Sequence, residues 1–289
     1  MLAALIGEGP QDEGLLTQYH AALDPYFSAP ADLKALERLC RALNLYVNLG
    51  DAEGQVQACD ALCEMLRNGA GGLAGRAVLD QGTLPSLVVV LQGARTEPCR
   101  AAAALLAEVC TGAQQRRAVV RSGLLRPLVE LLRKASEPRL LREGARVLAA
   151  LAREPLAVTP LLREGAPRAL KHLCRSKSVQ AHALAVQALG RLARNDASLL
   201  DSAGLPRVFC AVASSSVIEA RAAAAAEMSG LMTLPSHRPA MLTAGAVGVL
   251  LRCCDALNEG LKLNALHSLS LLLTAAVMSE EAAGTSTGH

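Results

Sequence analysis

The sequence predicts an all-α solenoid of about six helical repeats, and three observations carry that prediction. The first is a fixed period: Gly82, Gly123, Gly165, Gly204 and Gly245 are separated by 41, 42, 39 and 41 residues. The second is what travels with each glycine. A large apolar residue follows five positions later (Leu87, Leu128, Leu170, Phe209, Leu250), and in four copies a proline follows two to four positions later (Pro85, Pro127, Pro167, Pro206). The third is composition: apolar residues make up 52%, mostly alanine and leucine, aromatics only 2%, and β-branched runs bounded by turns are absent. Alanine and leucine are strong helix formers, so strands are not expected. Glycine lets the chain leave one helix through a left-handed turn. Proline suits the first turn of the next helix, where its missing N–H costs nothing. A period near 40 with three helices per unit marks a solenoid, in which each unit buries its apolar flank only against its neighbours.

Residues 122–164 display one unit: a glycine, a short apolar helix opening with proline, a polar turn, a longer apolar helix, then one or two turns of a further helix before R-E-G-A-P-R-A-L restarts the pattern. Taken in order, residues 1–31 read as an N-terminal segment and helical cap. Three of the five aromatics (Tyr19, Tyr26, Phe27) lie there, as expected where a terminal repeat must cover an apolar end; a docking site is the rival reading. Residues 32–278 read as the solenoid. In 32–49, Leu33, Leu36, Leu39, Cys40, Leu43 and Val47 recur at helical spacing, and Gly50 and Asp51 end the helix. A second helix covers 53–67. The four glycines of 68–75 lack a G-K-[ST] and a preceding strand, so the stretch reads as a flexible turn rather than a phosphate cradle. The long helices of later units begin at Thr96, Ser136, Ser178, Ser216 and Asn258, capped by those side chains, with Glu97, Glu137 and Glu259 in the first turns. Residues 279–289, small and polar, read as a disordered tail.

Net charge is +3, but unevenly spread: residues 116–194 hold 17 Lys/Arg against 5 Asp/Glu, whereas 1–115 hold 7 against 13. The basic middle could face an acidic ligand, RNA or an anionic surface, or simply coat outward helix faces with arginine stems. That stretch contains no aromatic for base stacking, which counts against nucleic acid. The nine cysteines include no C-x-x-C and fall mostly on core positions, as in a reducing compartment. The best apolar run, 265–278, spans about 14 residues and carries His267, Ser268 and Ser270, too short and polar to cross a bilayer. No leader or N-x-[ST] acceptor is apparent, so a cytoplasmic protein is expected, with the nucleus as the second location. G-T-S-T-G around Ser286 lacks the strand–turn–helix of a nucleophile elbow. His182 could approach Glu143 or Cys174, yet nothing fixes such a geometry. The sequence therefore points away from an enzyme and implies no cofactor and no metal.

The glycine, the short helix after it and the apolar spacing of the long helices resemble the armadillo repeat over residues 32 to about 278. HEAT repeats are the near alternative. The resemblance implies an armadillo-like right-handed α-solenoid whose third helices line a concave groove. In peptide-binding members an asparagine in a motif like A-L-x-N-L on that helix clamps the bound backbone. The matching positions here are Glu64, Glu108, Ala150, Arg191, Gly230 and Leu271; none is asparagine, and the chain has no tryptophan. On the same face, one and two turns earlier, lie Gln57 and Asp60, Ala101 and Ala104, Glu143 and Arg146, Leu184 and Gln187, Ala223 and Ala226, Asn264 and His267. The candidate groove residues are thus Asp60, Glu64, Glu108, Glu143, Arg146, Gln187, Arg191, Asn264 and His267. The resemblance implies a monomeric, non-catalytic scaffold or adaptor for protein partners whose charge varies along their length. An assembly factor or co-chaperone for motor or cytoskeletal proteins is the alternative. Binding of RNA or an acidic ligand through the basic middle, including Arg116, Arg117 and Arg121, is a lesser one.

Overall fold

A computed structural model describes residues 33–68, 71–202 and 204–286, so the expected N-terminal cap at 1–31 lies outside the described residues. Those residues form seventeen α-helices and no strand. The chain divides into two compact units, one ending at Leu131 and the other beginning at Leu132.

The first unit holds α1 (Leu33–Leu49), α2 (Ala52–Asn68), α3 (Gly71–Asp80), α4 (Thr83–Gln92), α5 (Thr96–Val109) and α6 (Ala113–Arg121), with the start of α7 (Leu125–Lys134). The long helices α2 and α5 lie side by side, α1 packs on α2 and α4, and α4 packs on α5. Leu36, Leu39, Leu43, Leu62, Leu87, Leu105 and Leu106 are fully enclosed, with Tyr46 among them. Ala101, Ala102 and Ala103 of α5 are also buried, their small side chains allowing the close contact with α2.

The second unit repeats the plan: α8 (Pro138–Leu151), a 3₁₀ turn (Pro155–Ala157), α9 (Val158–Arg163), α10 (Ala166–Leu173), α11 (Val179–Asn195), α12 (Ser198–Ser202), α13 (Leu205–Ala213), α14 (Ile218–Met232), a second 3₁₀ turn (Pro235–His237), α15 (Arg238–Thr243), α16 (Ala246–Cys254) and α17 (Glu259–Ser286). The long helices α8, α11, α14 and α17 pack in sequence order, each on the next, while α10, α13 and α16 back onto α11, α14 and α17 respectively. In both units the third helix of one repeat meets the third helix of the next, as the period requires.

The marker glycines do what the repeat asks of them. Gly82, Gly123, Gly165, Gly204 and Gly245 have φ of 68°, 82°, 78°, 59° and 81°, and Gly50 joins them at 69°; no other described residue has positive φ. A Cβ disfavours this left-handed region, so the turn between first and second helices selects glycine. The prolines fall in first turns, Pro167 and Pro206 at the second helical position of α10 and α13.

Several local expectations need correction. The helix expected to be capped by Ser136 is capped by Glu137, whose carboxylate accepts from Arg139 N at 2.9 Å and from Leu140 N. The helices expected to be capped by Thr96 and Ser216 have Arg95 and Val217 at their N-caps, with no side-chain cap. Ser178 does sit at the N-cap of α11, but its hydroxyl donates to Pro138 O at 2.9 Å instead of capping. The glycine-rich stretch is helical from Gly71, and the segment expected as a disordered tail continues α17 to Ser286. Propagating an existing helix costs far less than starting one, and Glu280, Glu281, Ala282 and Ala283 are good helix formers. Asn258, by contrast, caps α17 as expected, its Oδ1 accepting from Leu261 N at 2.8 Å.

Candidate binding face

The exposed sides of the third helices carry the candidate residues, and partners one repeat away hold many of them. In the first unit, Asp60 is exposed on α2 and accepts from Arg100 Nη2 of α5 at 3.1 Å. Arg100 also donates through Nε to Glu97 at 2.8 Å. Two turns on, Arg67 Nε donates to Glu108 at 2.9 Å, so the two long helices are laced by two ion pairs. Glu64 lies between them, exposed and without a side-chain partner. Gln57 is also exposed and donates to Glu53 at 3.4 Å. Ala101 and Ala104 are buried and contribute no chemistry. This face is acidic, with its two arginines already spent on Asp60, Glu97 and Glu108.

In the second unit the balance reverses. Glu143, expected to face a partner, is 3% exposed. Both its oxygens are taken, Oε1 by Arg142 at 2.6 Å and Oε2 by Arg146 at 2.6 Å. Arg142 also reaches Gln180 of α11 at 3.0 Å. Arg191 donates to Ala149 O of α8 at 3.0 Å. Burial and the nearby charge of Arg153 hold its guanidinium below the ordinary arginine value. Arg194 of α11 meets Glu227 of α14 at 2.6 Å. That pair sits in a reciprocal cradle: a Cβ at Gly190 would land on the Glu227 carboxylate, and one at Gly230 on the Arg194 guanidinium. Burial pushes the Glu227 carboxyl up, and the charge of Arg194 only partly offsets it. Further along, His267 of α17 is exposed and its Nδ1 lies 2.7 Å from Ser229 Oγ of α14. Gln187 and Asn264 are half-buried, and neither side-chain amide has a partner.

Sequence reasoning missed Arg100, Arg142, Gln180, Arg194, Glu227 and Ser229. The signal was present: most of these contacts join residues 38 to 42 apart, one repeat in sequence. His182 Nε2 lies 2.8 Å from Ser176 O and not against Glu143 or Cys174, the two contacts its place in the sequence left open. Eight of the nine cysteines are buried. Burial pushes the thiol of Cys40 up to about 11 and those of Cys110 and Cys174 up to about 12, so they behave as small apolar residues. No group of three or more His, Cys, Asp or Glu side chains suited to a metal gathers among the described residues. Nor is any helix among them long and apolar enough to cross a membrane.

These features define an armadillo-like repeat fold, and solved structures agree. An engineered protein superimposes with a TM-score of 0.74 at 25% identity, covering 83% of this chain and 97% of its own. A designed armadillo repeat protein gives 0.73 at 21% identity, covering 82% and 99%. A designed armadillo repeat protein in complex with the peptide (KR)4 gives 0.73 at 22% identity, again covering 82% and 99%. No protein-family model and no curated protein matches the sequence. At these identities the likeness speaks for the fold, an armadillo-like solenoid of a kind consistent with peptide or protein binding.

Proposed function

We propose that this chain is a non-catalytic scaffold or adaptor whose third-helix faces bind an extended segment of a partner protein. One observation carries the reading. Along those faces the charged groups are held in place by neighbours one repeat away, while Glu64, Gln187 and Asn264 remain without side-chain partners. A half-buried amide offers both a donor and an acceptor, which is what an extended backbone needs. Gln187 and Asn264 would serve that role in place of the asparagines at the family's usual position. Ordering costs are already met by the fold, so such a surface binds without first having to arrange itself.

Charge sets the choice of partner. The acidic first-unit face suits cationic side chains, and a designed relative of the same fold was solved with an alternating basic peptide. The second-unit face, with Arg142, Arg146, Arg191 and Arg194 against Glu143 and Glu227, suits anionic ones. The test is calorimetric titration of the intact chain with short basic and short acidic peptides. Binding of a basic peptide that falls at least about tenfold in Glu64→Lys, and not in Gln187→Ala, supports the first-unit assignment. An acidic peptide should lose affinity in Gln187→Ala. If neither peptide class binds, or both variants bind as the parent does, the reading fails.

A further inference from the structure

Away from the third-helix faces, a cavity of about 260 Å³ opens between the C-terminal end of α10 and one side of α13. Its lining is Lys171, Cys174 and Arg175 from the α10 side, and Gly204, Arg207, Val208, Ala211 and Val212 from the α13 side. Three of those eight residues are cationic and none is acidic. Arg175 and Arg207 are exposed, and neither guanidinium makes an ion pair or hydrogen bond with the protein. Lys171 is half-buried and brings a third positive charge. The Cys174 thiol, pushed up to about 12 by burial, stays protonated and adds no negative charge. Elsewhere in the second unit Arg142, Arg146 and Arg194 each hold an ion pair with Glu143 or Glu227. Here Arg175 and Arg207 stand around a concavity, and neither is engaged by a carboxylate.

We infer that this cavity is a binding site for a phosphate monoester. Two guanidinium forks, one from the turn after α10 and one from α13, can each present paired N–H donors to a phosphate, with the lysine as a point charge beside them. The volume is several times the share of a single water in the liquid, roughly 30 Å³, so a phosphate fits together with a short stem. Val208, Ala211 and Val212 offer that stem an apolar wall. Gly204, at φ 59°, has no Cβ and leaves its backbone open at the positive end of α13. A nucleic-acid strand would need a longer track with stacking partners, and none of the lining residues is aromatic. The ligand is therefore a compact phosphorylated group, either the phosphoserine or phosphothreonine side chain of a partner or a small free phosphate ester.

The experiment uses the full chain and isothermal titration with four probes: a short phosphoserine peptide, its unphosphorylated counterpart, inorganic phosphate and glycerol 3-phosphate. At least one phosphorylated probe should bind while the unphosphorylated peptide does not, and affinity should weaken with added salt. The Arg175→Gln/Arg207→Gln double variant should lose at least about tenfold in affinity. Because both side chains are exposed, its melting temperature should match the parent's, and a variant that melts like the parent yet still binds overturns the assignment. So does failure of all phosphorylated probes, or equal binding of the unphosphorylated peptide. Preference for the phosphopeptide over the two free phosphates assigns a partner's side chain, and the reverse assigns a free ester. Glu64→Lys, which disables the third-helix reading, should leave this binding unchanged, so the two ideas fail separately.

Discussion

Gly190 has no side chain, and that absence is what admits Glu227 between α11 and α14. A methyl group there would meet the Glu227 carboxylate and its Cβ at once. Gly190→Ala should therefore destabilise the protein by about 1–3 kcal/mol, the usual cost of overpacking an enclosed site. Adding Glu227→Ala should return part of that loss, because the clash disappears; urea denaturation of the four members of the cycle measures both effects. Glu227 also makes a signed prediction. Its folded carboxyl is raised above the ordinary value by burial, so its neutral form is the better fit. The stability it contributes is complete below the unfolded value and is lost as pH rises through the folded one. Relative to Glu227→Gln, which does not titrate, the parent should lose stability between about pH 4 and pH 7; denaturation midpoints at the two pH values decide it. A relative gain over that range would contradict the raised carboxyl. At this scale the sequence was only half legible. Glu64, Asp60, Arg191 and His267 lie on third helices as helical spacing placed them, but spacing cannot say that Arg142 and Arg146 would close over Glu143. That depends on side-chain reach across a turn and on which flank the next helix covers.

For single elements, helix type and order were readable and the first residues were not. Ser, Thr and Asn near a helix start all looked like caps. Yet α8 uses Glu137, whose longer side chain reaches two backbone N–H groups from one position nearer the helix. Removing it in Glu137→Ala should cost about 1 kcal/mol, as loss of an N-cap usually does, whereas Ser136→Ala should cost little; denaturant midpoints of the two variants separate them. Ser178 shows why the serine rule misleads here. Its hydroxyl is engaged by Pro138 O one repeat away, so tertiary contact overrides local capping. The glycine-rich segment misled for a related reason. Glycine weakens a helix by about 1 kcal/mol against alanine, but packing of α3 on α1, α2, α4 and α5 outweighs that penalty.

Across the whole molecule, the period is the physical rule that the rest obeys. Residues one repeat apart touch because third helices stack side by side: Asp60 with Arg100, Arg142 with Gln180, Ser229 with His267. The spacing of marker glycines was thus already a contact map, and what it left out was the chemistry of each contact. An internal deletion tests this directly. Removing 165–203 excises one complete period and rejoins the chain at the next marker, Gly204, so α8 would face α14. In that arrangement Ala149 takes the place of Gly190 opposite Glu227, and Arg194 is gone, so the deletion should be built with Glu227→Ala. The product should keep the parent's per-residue helical signal in far-ultraviolet circular dichroism and unfold cooperatively, because each interface in a solenoid is a nearest-neighbour one. Removing 165–184 instead takes half a period and leaves α11 without its first turns, turning its apolar flank out of register. That chain should lose cooperative unfolding and expose apolar surface to a hydrophobic dye. If the half-period and full-period deletions behave alike, the repeat is a feature of the sequence that does not govern packing.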